Sequence, residues 1–150
     1  MTSQFFANCY LDGLDKYVTQ ELGFSNYVRY VDDFVIISKD KEELKQTVKV
    51  IYKWLLKERK LKIHPHKTVL QKVIQGIDFV GYVIRPTHTL VRNSVVKRCK
   101  MRAEILKKEK DDKLKGKLSE GISSYLGHFS HADSYKLRNK FKHLIINDKK

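Results

Sequence analysis

Two adjacent carboxylates, Asp32 and Asp33, lie between the apolar runs Tyr27-Val28-Arg29-Tyr30-Val31 and Phe34-Val35-Ile36-Ile37. Aspartate suits strands poorly, and an unpaired charge beside a core is costly, so their presence there needs a reason. A bound cation supplies one: hard carboxylate oxygens suit Mg²⁺, which binds through one or two carboxylates plus substrate phosphates. In an extended backbone Tyr30, Asp32 and Phe34 would share a face, so only a tight turn at Val31-Asp32-Asp33 brings both carboxylates toward one point. The alternative is an ordinary surface turn, in which aspartate is common. Elsewhere, His64 and His66 flank Pro65 without an evident third ligand and read as a solvated turn. Cys9 and Cys99 form no CxxC pair and read as two buried thiols rather than a zinc site or a disulfide.

The elements that must position the acidic pair follow from spacing. Thr2 or Ser3 can cap a helix whose apolar residues Phe6, Cys9 or Tyr10, Leu14 and Val18 recur at helical intervals, and Gly23 ends it. The two apolar runs then read as a hairpin hinged on Asp32-Asp33. Asp40-Lys41-Glu42-Glu43 fits a capping box with Asp in place of Ser or Thr, and Leu44, Val48, Ile51 and Leu55 mark the buried stripe of the helix it opens. That helix also carries Trp54, assigned to packing or an interface. Leu61-Lys62-Ile63 and Thr68-Val69-Leu70 read as strands flanking the His64–Lys67 turn, and residues 77–84 as a further apolar strand ending at Arg85-Pro86.

From Asn93, a plausible cap, the pattern becomes helical, with Val96, Cys99, Ala103 and Leu106 on one face. The charge run 107–117 offers nothing to bury and reads as a loop. Two more helices follow: one carries Leu118, Ile122 and Leu126 and stops at Gly127, and one runs from about His131 with Leu137, Phe141, Leu144 and Ile145 inward. The expected fold class is α+β, with a mixed region over 1–92 and a small helical lobe over 93–150.

The 150 residues are domain-sized, and a 41% hydrophobic share is enough for a packed interior, which argues against disorder. No stretch approaches the roughly 18 apolar residues that span a bilayer, and no secretory signal pattern opens the chain, so it reads as soluble and cytoplasmic, with no membrane partner. The formal charge of +14 is unevenly spread: residues 1–92 hold 15 basic and 10 acidic side chains, residues 93–150 hold 16 and 7. Such a surface is either a solvated face or one rewarded by nucleic-acid phosphates through counterion release; an anionic membrane surface fits less well.

Tyr30-Val31-Asp32-Asp33 in a β-hairpin resembles the palm signature of reverse transcriptases. Further motifs occur in family order. Thr2-Ser3-Gln4-Phe5-Phe6-Ala7-Asn8, with Leu11 and Leu14-Asp15, resembles the helix before that hairpin in bacterial reverse transcriptases, especially those of diversity-generating retroelements, where Ser-Gln replaces the Ser-Pro of group II intron enzymes. Phe79-Val80-Gly81-Tyr82 is similar to the Phe-Leu-Gly-Tyr primer grip, with Val80 for Leu. Ser124-Tyr125-Leu126-Gly127-His128, with His131-Ala132 and Ser134-Tyr135, resembles the thumb that follows.

The resemblance implies the C-terminal part of a polymerase palm over 1–92 and a thumb over 93–150, acting in RNA-directed DNA synthesis with Mg²⁺, or Mn²⁺ in its place, and deoxynucleoside triphosphates. It implies Asp32 and Asp33 as catalytic metal ligands, and Gln4, Tyr30 and Lys67 near the nucleotide. It further implies Phe79, Val80, Gly81 and Tyr82 at the primer end, and Lys97, Arg98, Lys100, Arg102, Tyr125, His128 and His131 along an RNA template and DNA primer. The family's fingers and a further metal-binding aspartate precede this region, so the chain is expected to be a fragment or split subunit, inactive alone and dependent on an N-terminal half or accessory retroelement protein. A basic, non-catalytic RNA- or DNA-binding remnant is the alternative. A partial sheet would also expose a strand edge and invite self-association.

Overall fold

The computed structural model describes the backbone of residues 2–147 and the side chains of residues 2–143. The fold is α+β, with two small antiparallel sheets, and it forms two compact units, Met1–Gln71 and Lys72–Lys150. The units therefore part at residue 71, whereas the charge and helix pattern placed a boundary at 92. The reason is local: residues 77–91 form a sheet whose Val91 belongs to the same core as the helices after it. Among the described residues no helix is long and apolar enough to cross a membrane.

In the first unit, helix α1 (Thr2–Lys16) continues as a π-helical turn, Tyr17–Glu21, and ends at Gly23, whose φ of +73° is the left-handed conformation glycine adopts most readily. Its buried stripe is Leu11, Leu14 and Val18 rather than the expected Phe6, Cys9 or Tyr10; those three positions face solvent, so Cys9 is exposed. Strands β1 (Tyr27–Tyr30) and β2 (Asp33–Ile36) pair antiparallel, with Tyr27 opposite Ile36 and Tyr30 opposite Asp33. Tyr27, Phe34 and Ile36 pack against Leu14, Val18, Ile51 and Leu55.

Helix α2 (Lys41–Trp54) opens where Asp40 accepts from the amides of Glu42 and Glu43, as the capping pattern predicted. Glu43 departs from a true box: its carboxylate accepts from the Ser38 hydroxyl at 2.5 Å. Thr47 takes the buried position expected for Val48, its hydroxyl satisfied by the Glu43 carbonyl at 2.8 Å. A second π-helical turn, Leu55–Arg59, extends the helix, and Trp54 stacks on Tyr17 with centroids 5.0 Å apart. The expected strands at Leu61–Ile63 and Thr68–Leu70 do not form. The described chain there has no ladder partner, only a short 3₁₀ turn at Pro65–Lys67, and Val69 is left exposed.

In the second unit, residues 77–84 fold back on themselves instead of running as one strand. Strand β3 (Ile77–Phe79) pairs with β4 (Tyr82–Ile84), which pairs with β5 (Thr89–Val91). Helix α3 (Asn93–Lys108) begins at Asn93 without a side-chain cap and buries Val95, Cys99, Ala103 and Leu106, with Val96 at the margin. The charge run is not a loop: Asp111 caps helix α4 (Asp112–Phe129) by accepting from the Leu114 amide at 3.0 Å, and Gly116 and Gly127 both lie inside that helix. Helix α5 (Tyr135–Asn147) starts later than His131 and contributes Phe141 to the core beside Phe129 and Ile122; the side chains of Leu144 and Ile145 lie outside the described residues.

Candidate functional site

The acidic pair sits at the tip of the first hairpin, but the loop lies one residue earlier than the hinge at Asp32-Asp33 that the sequence suggested: Val31 and Asp32 are the loop, and Asp33 opens β2. Cross-strand pairing puts Tyr30 and Asp33 on the outer face with Val28 and Val35, and Arg29 and Phe34 on the inner one. Both carboxylates are exposed, and among the described residues neither accepts a hydrogen bond or forms an ion pair. Their oxygens are the hard donors that Mg²⁺ or Mn²⁺ takes, so the residues present fit part of such a site. Among the described residues no third His, Cys, Asp or Glu joins them.

The tip is held from below. Val31 has a φ of +57°, a left-handed conformation that is an outlier for a β-branched residue and costs about 1–3 kcal/mol. Arg29 donates from Nη1 to the Val31 carbonyl at 2.7 Å, a charge-assisted bond that contributes about 1.5–3 kcal/mol and can offset that strain. The rest of the guanidinium faces α1: Nε and Nη2 donate to the two Asp15 oxygens at 2.7 and 2.6 Å, and Nη1 also reaches Asn8 Oδ1 at 3.0 Å. Tyr27 donates to Asp15 Oδ1 at 2.7 Å. The Arg29 bonds hold the Asp15 carboxyl below the usual aspartate range against the opposing effect of burial. Burial, reinforced by the bond to Asp15, raises the Tyr27 phenol.

Gln4 is exposed in the first turn of α1, Tyr30 stands on the hairpin's outer face, and Lys67 ends the exposed 3₁₀ turn. Sequence reading gives Arg29 no role and gives Asp15 only a place in the family-like helix; neither is singled out as a site residue. Their signal is faint, a lone arginine in an apolar strand and an aspartate 14 positions earlier, and only folding makes them a bidentate pair.

The second unit holds a cleft of about 370 Å³ where the β3–β4 turn meets α3 and α4. The turn is Val80-Gly81, both at positive φ, +50° and +85°, the paired left-handed arrangement that matches hairpin twist. Gly81 lies against the His128 ring, so a Cβ there would fall 3.1 Å from Cε1 and Nε2. Tyr82 stacks on that ring at 4.3 Å and its hydroxyl donates to the His128 carbonyl at 2.9 Å, with Nδ1 at 3.1 Å. The buried Nε2 of the same ring has no hydrogen-bond partner among the described residues.

Arg98, Tyr125 and His128, expected along nucleic acid, line this cleft together with Val80 and Gly81. Arg92 and Ser124 join them, Arg92 being paired with Asp78 across the sheet. Arg102, one turn beyond Arg98, lies over the Tyr125 ring at 6.0 Å. Lys97, Lys100 and His131 are exposed and do not line it, and Phe79 is half-buried in β3.

The hairpin, its acidic tip and the Val80-Gly81 turn all fall within one match: the family model for reverse transcriptase (RNA-dependent DNA polymerase) covers residues 1–84. That is more than half of the chain, and the chain belongs to this family. None of the curated proteins compared with it matches.

Proposed function

We propose that this chain supplies the metal-binding turn and a primer-template surface of an RNA-directed DNA polymerase of bacterial retroelement type, close to the enzymes of diversity-generating retroelements and group II introns. The observation that carries the reading is a pair of exposed carboxylates without partners at the tip of an apolar hairpin, inside the stretch matched by the reverse transcriptase family. Asp32 and Asp33 are the residues that would hold divalent ions, whose chemistry when bound is charge stabilisation in nucleotidyl transfer. Tyr30 packs near the incoming nucleotide, Gln4 lies in the helix facing the new base pair, and Lys67 meets the pyrophosphate. In the second unit, the Phe79–Tyr82 turn holds the primer end, while Arg98, Arg102, Tyr125 and His128 follow the template-primer backbone. Lys97, Lys100 and His131 add charge outside the cleft. Contacts of this kind position a duplex without reading its sequence.

Two carboxylates without a third ligand bind a divalent ion weakly, so these 150 residues alone are expected to give no primer extension. With a polypeptide supplying reverse transcriptase fingers and a further palm aspartate, Mg²⁺-dependent incorporation on an RNA template should appear. Asp32→Ala should then reduce it by about 100-fold or more, equal to about 2.7 kcal/mol of transition-state stabilisation. Salt-sensitive RNA binding indifferent to Asp32→Ala, with no synthesis under any complementation, would identify a binding remnant instead.

A further inference from the structure

We infer that Arg29 is a positioning residue for the acidic tip, and that Asp15 keeps its guanidinium from pairing with the loop carboxylate of Asp32. The inference rests on reading that tip as the metal-binding turn. Its own basis is the way one buried side chain spends its donors. Arg29 is only 9% exposed at the side chain, although it lies in a four-residue strand near a hairpin end. Nη1 reaches the Val31 carbonyl, and that carbonyl belongs to the peptide unit whose nitrogen is Asp32. Fixing this peptide plane fixes the N–Cα bond of Asp32, so that its side chain can reorient only by rotation about that bond and its own χ angles. The plane needs fixing because Val31 is held at a φ that valine ordinarily avoids.

The other half of the device is charge. Asp33 is on the opposite face of the hairpin, but a free guanidinium three residues before Asp32 could turn to that loop carboxylate and compete with a cation. Here Nε and Nη2 are committed to both oxygens of Asp15, in the parallel two-bond geometry that arginine and a carboxylate form best. Asn8 takes a further bond from Nη1. Four donor contacts thus point toward α1 and the turn's carbonyl, and none toward Asp32 or Asp33. Lysine could not do the same, since its single ammonium has no planar fork to serve Asp15 and the Val31 carbonyl at once.

The test uses the full chain with Mn²⁺ alone as the probe, read by paramagnetic broadening of backbone amide NMR signals. Glu42/Glu43 and Asp111/Asp112 serve as internal acidic controls. In the wild type, the Asp32 and Asp33 amides should broaden at lower Mn²⁺ than the controls. In Arg29→Lys, with circular dichroism unchanged, the Mn²⁺ needed at Asp32 and Asp33 should rise about fivefold or more while the controls stay put. Adding Val31→Gly, which relaxes the left-handed residue, should recover part of the loss, a rescue that a purely stabilising role would not produce. Asp15→Asn, which releases the guanidinium charge while keeping a hydrogen-bond acceptor, should weaken the same two signals, and it serves if Arg29→Lys does not fold. A folded Arg29→Lys chain with wild-type broadening would overturn the inference and leave the metal reading standing. No selective broadening at Asp32 and Asp33 in the wild type would overturn the metal reading itself, and the inference with it.

Discussion

Side-chain environments separate residues of the same type. Cys9 is exposed on the solvent side of α1, whereas Cys99 is buried between helices and burial pushes its thiol up to about 11. A thiol-reactive dye at neutral pH should therefore modify one cysteine per chain quickly, at Cys9, and reach Cys99 only on unfolding. Equal rates at the two positions would contradict the packing of α3. Asp15 offers a second test through pH. Its folded-state value lies below the ordinary one, chiefly through the hydrogen bonds from Arg29, so its ionised form stabilises the first unit above pH of about 4. That contribution is lost as pH falls through the depressed value. Asp15→Asn should be less stable at pH 6 and should lose less further stability on acidification, as denaturant midpoints measured across pH 6 to 2 would show.

Among the elements, the second hairpin is the more sharply specified. A two-residue loop with both φ values positive needs a residue without a β-carbon penalty at one position at least, and Gly81 meets that need while lying against the His128 ring. Gly81→Ala imposes both a strained φ and a close contact, so it should destabilise the second unit by about 1–3 kcal/mol. Val80→Asn, which suits the left-handed region better, should stabilise it. Thermal melts of the two variants should therefore move in opposite directions. The helix ends behave as their sequences suggested where a side chain does the capping, at Asp40, and less so where a charge run hid a cap, at Asp111.

At the scale of the molecule, two separate cores share the burden of stability. Leu14, Val18, Ile51 and Leu55 centre the first, and Cys99, Ile122, Phe129 and Phe141 the second. Phe129 is fully buried, so Phe129→Ala should cost the second unit about 3–5 kcal/mol, while the hairpin of the first unit keeps its amide protection in hydrogen exchange. Loss of protection throughout both units at once would show a single cooperative domain instead.

The amino-acid sequence alone determined the α+β class, the acidic hairpin, the Asp40 cap and most of the helical stripe of α3, because these depend on spacing along a few residues. It also carried the resemblance to reverse transcriptases, the family whose model matches residues 1–84. Tertiary structure alone decided the rest. Whether Leu61–Ile63 and Thr68–Leu70 pair depends on a partner strand, and none of the described strands lies beside them. The face that α1 buries turns on what packs against it, so Leu11 is inside and Phe6 outside despite similar local patterns. Arg29 and Asp15, 14 residues apart, become a pair only when the hairpin docks on α1, and no local rule reports a contact that the fold itself creates.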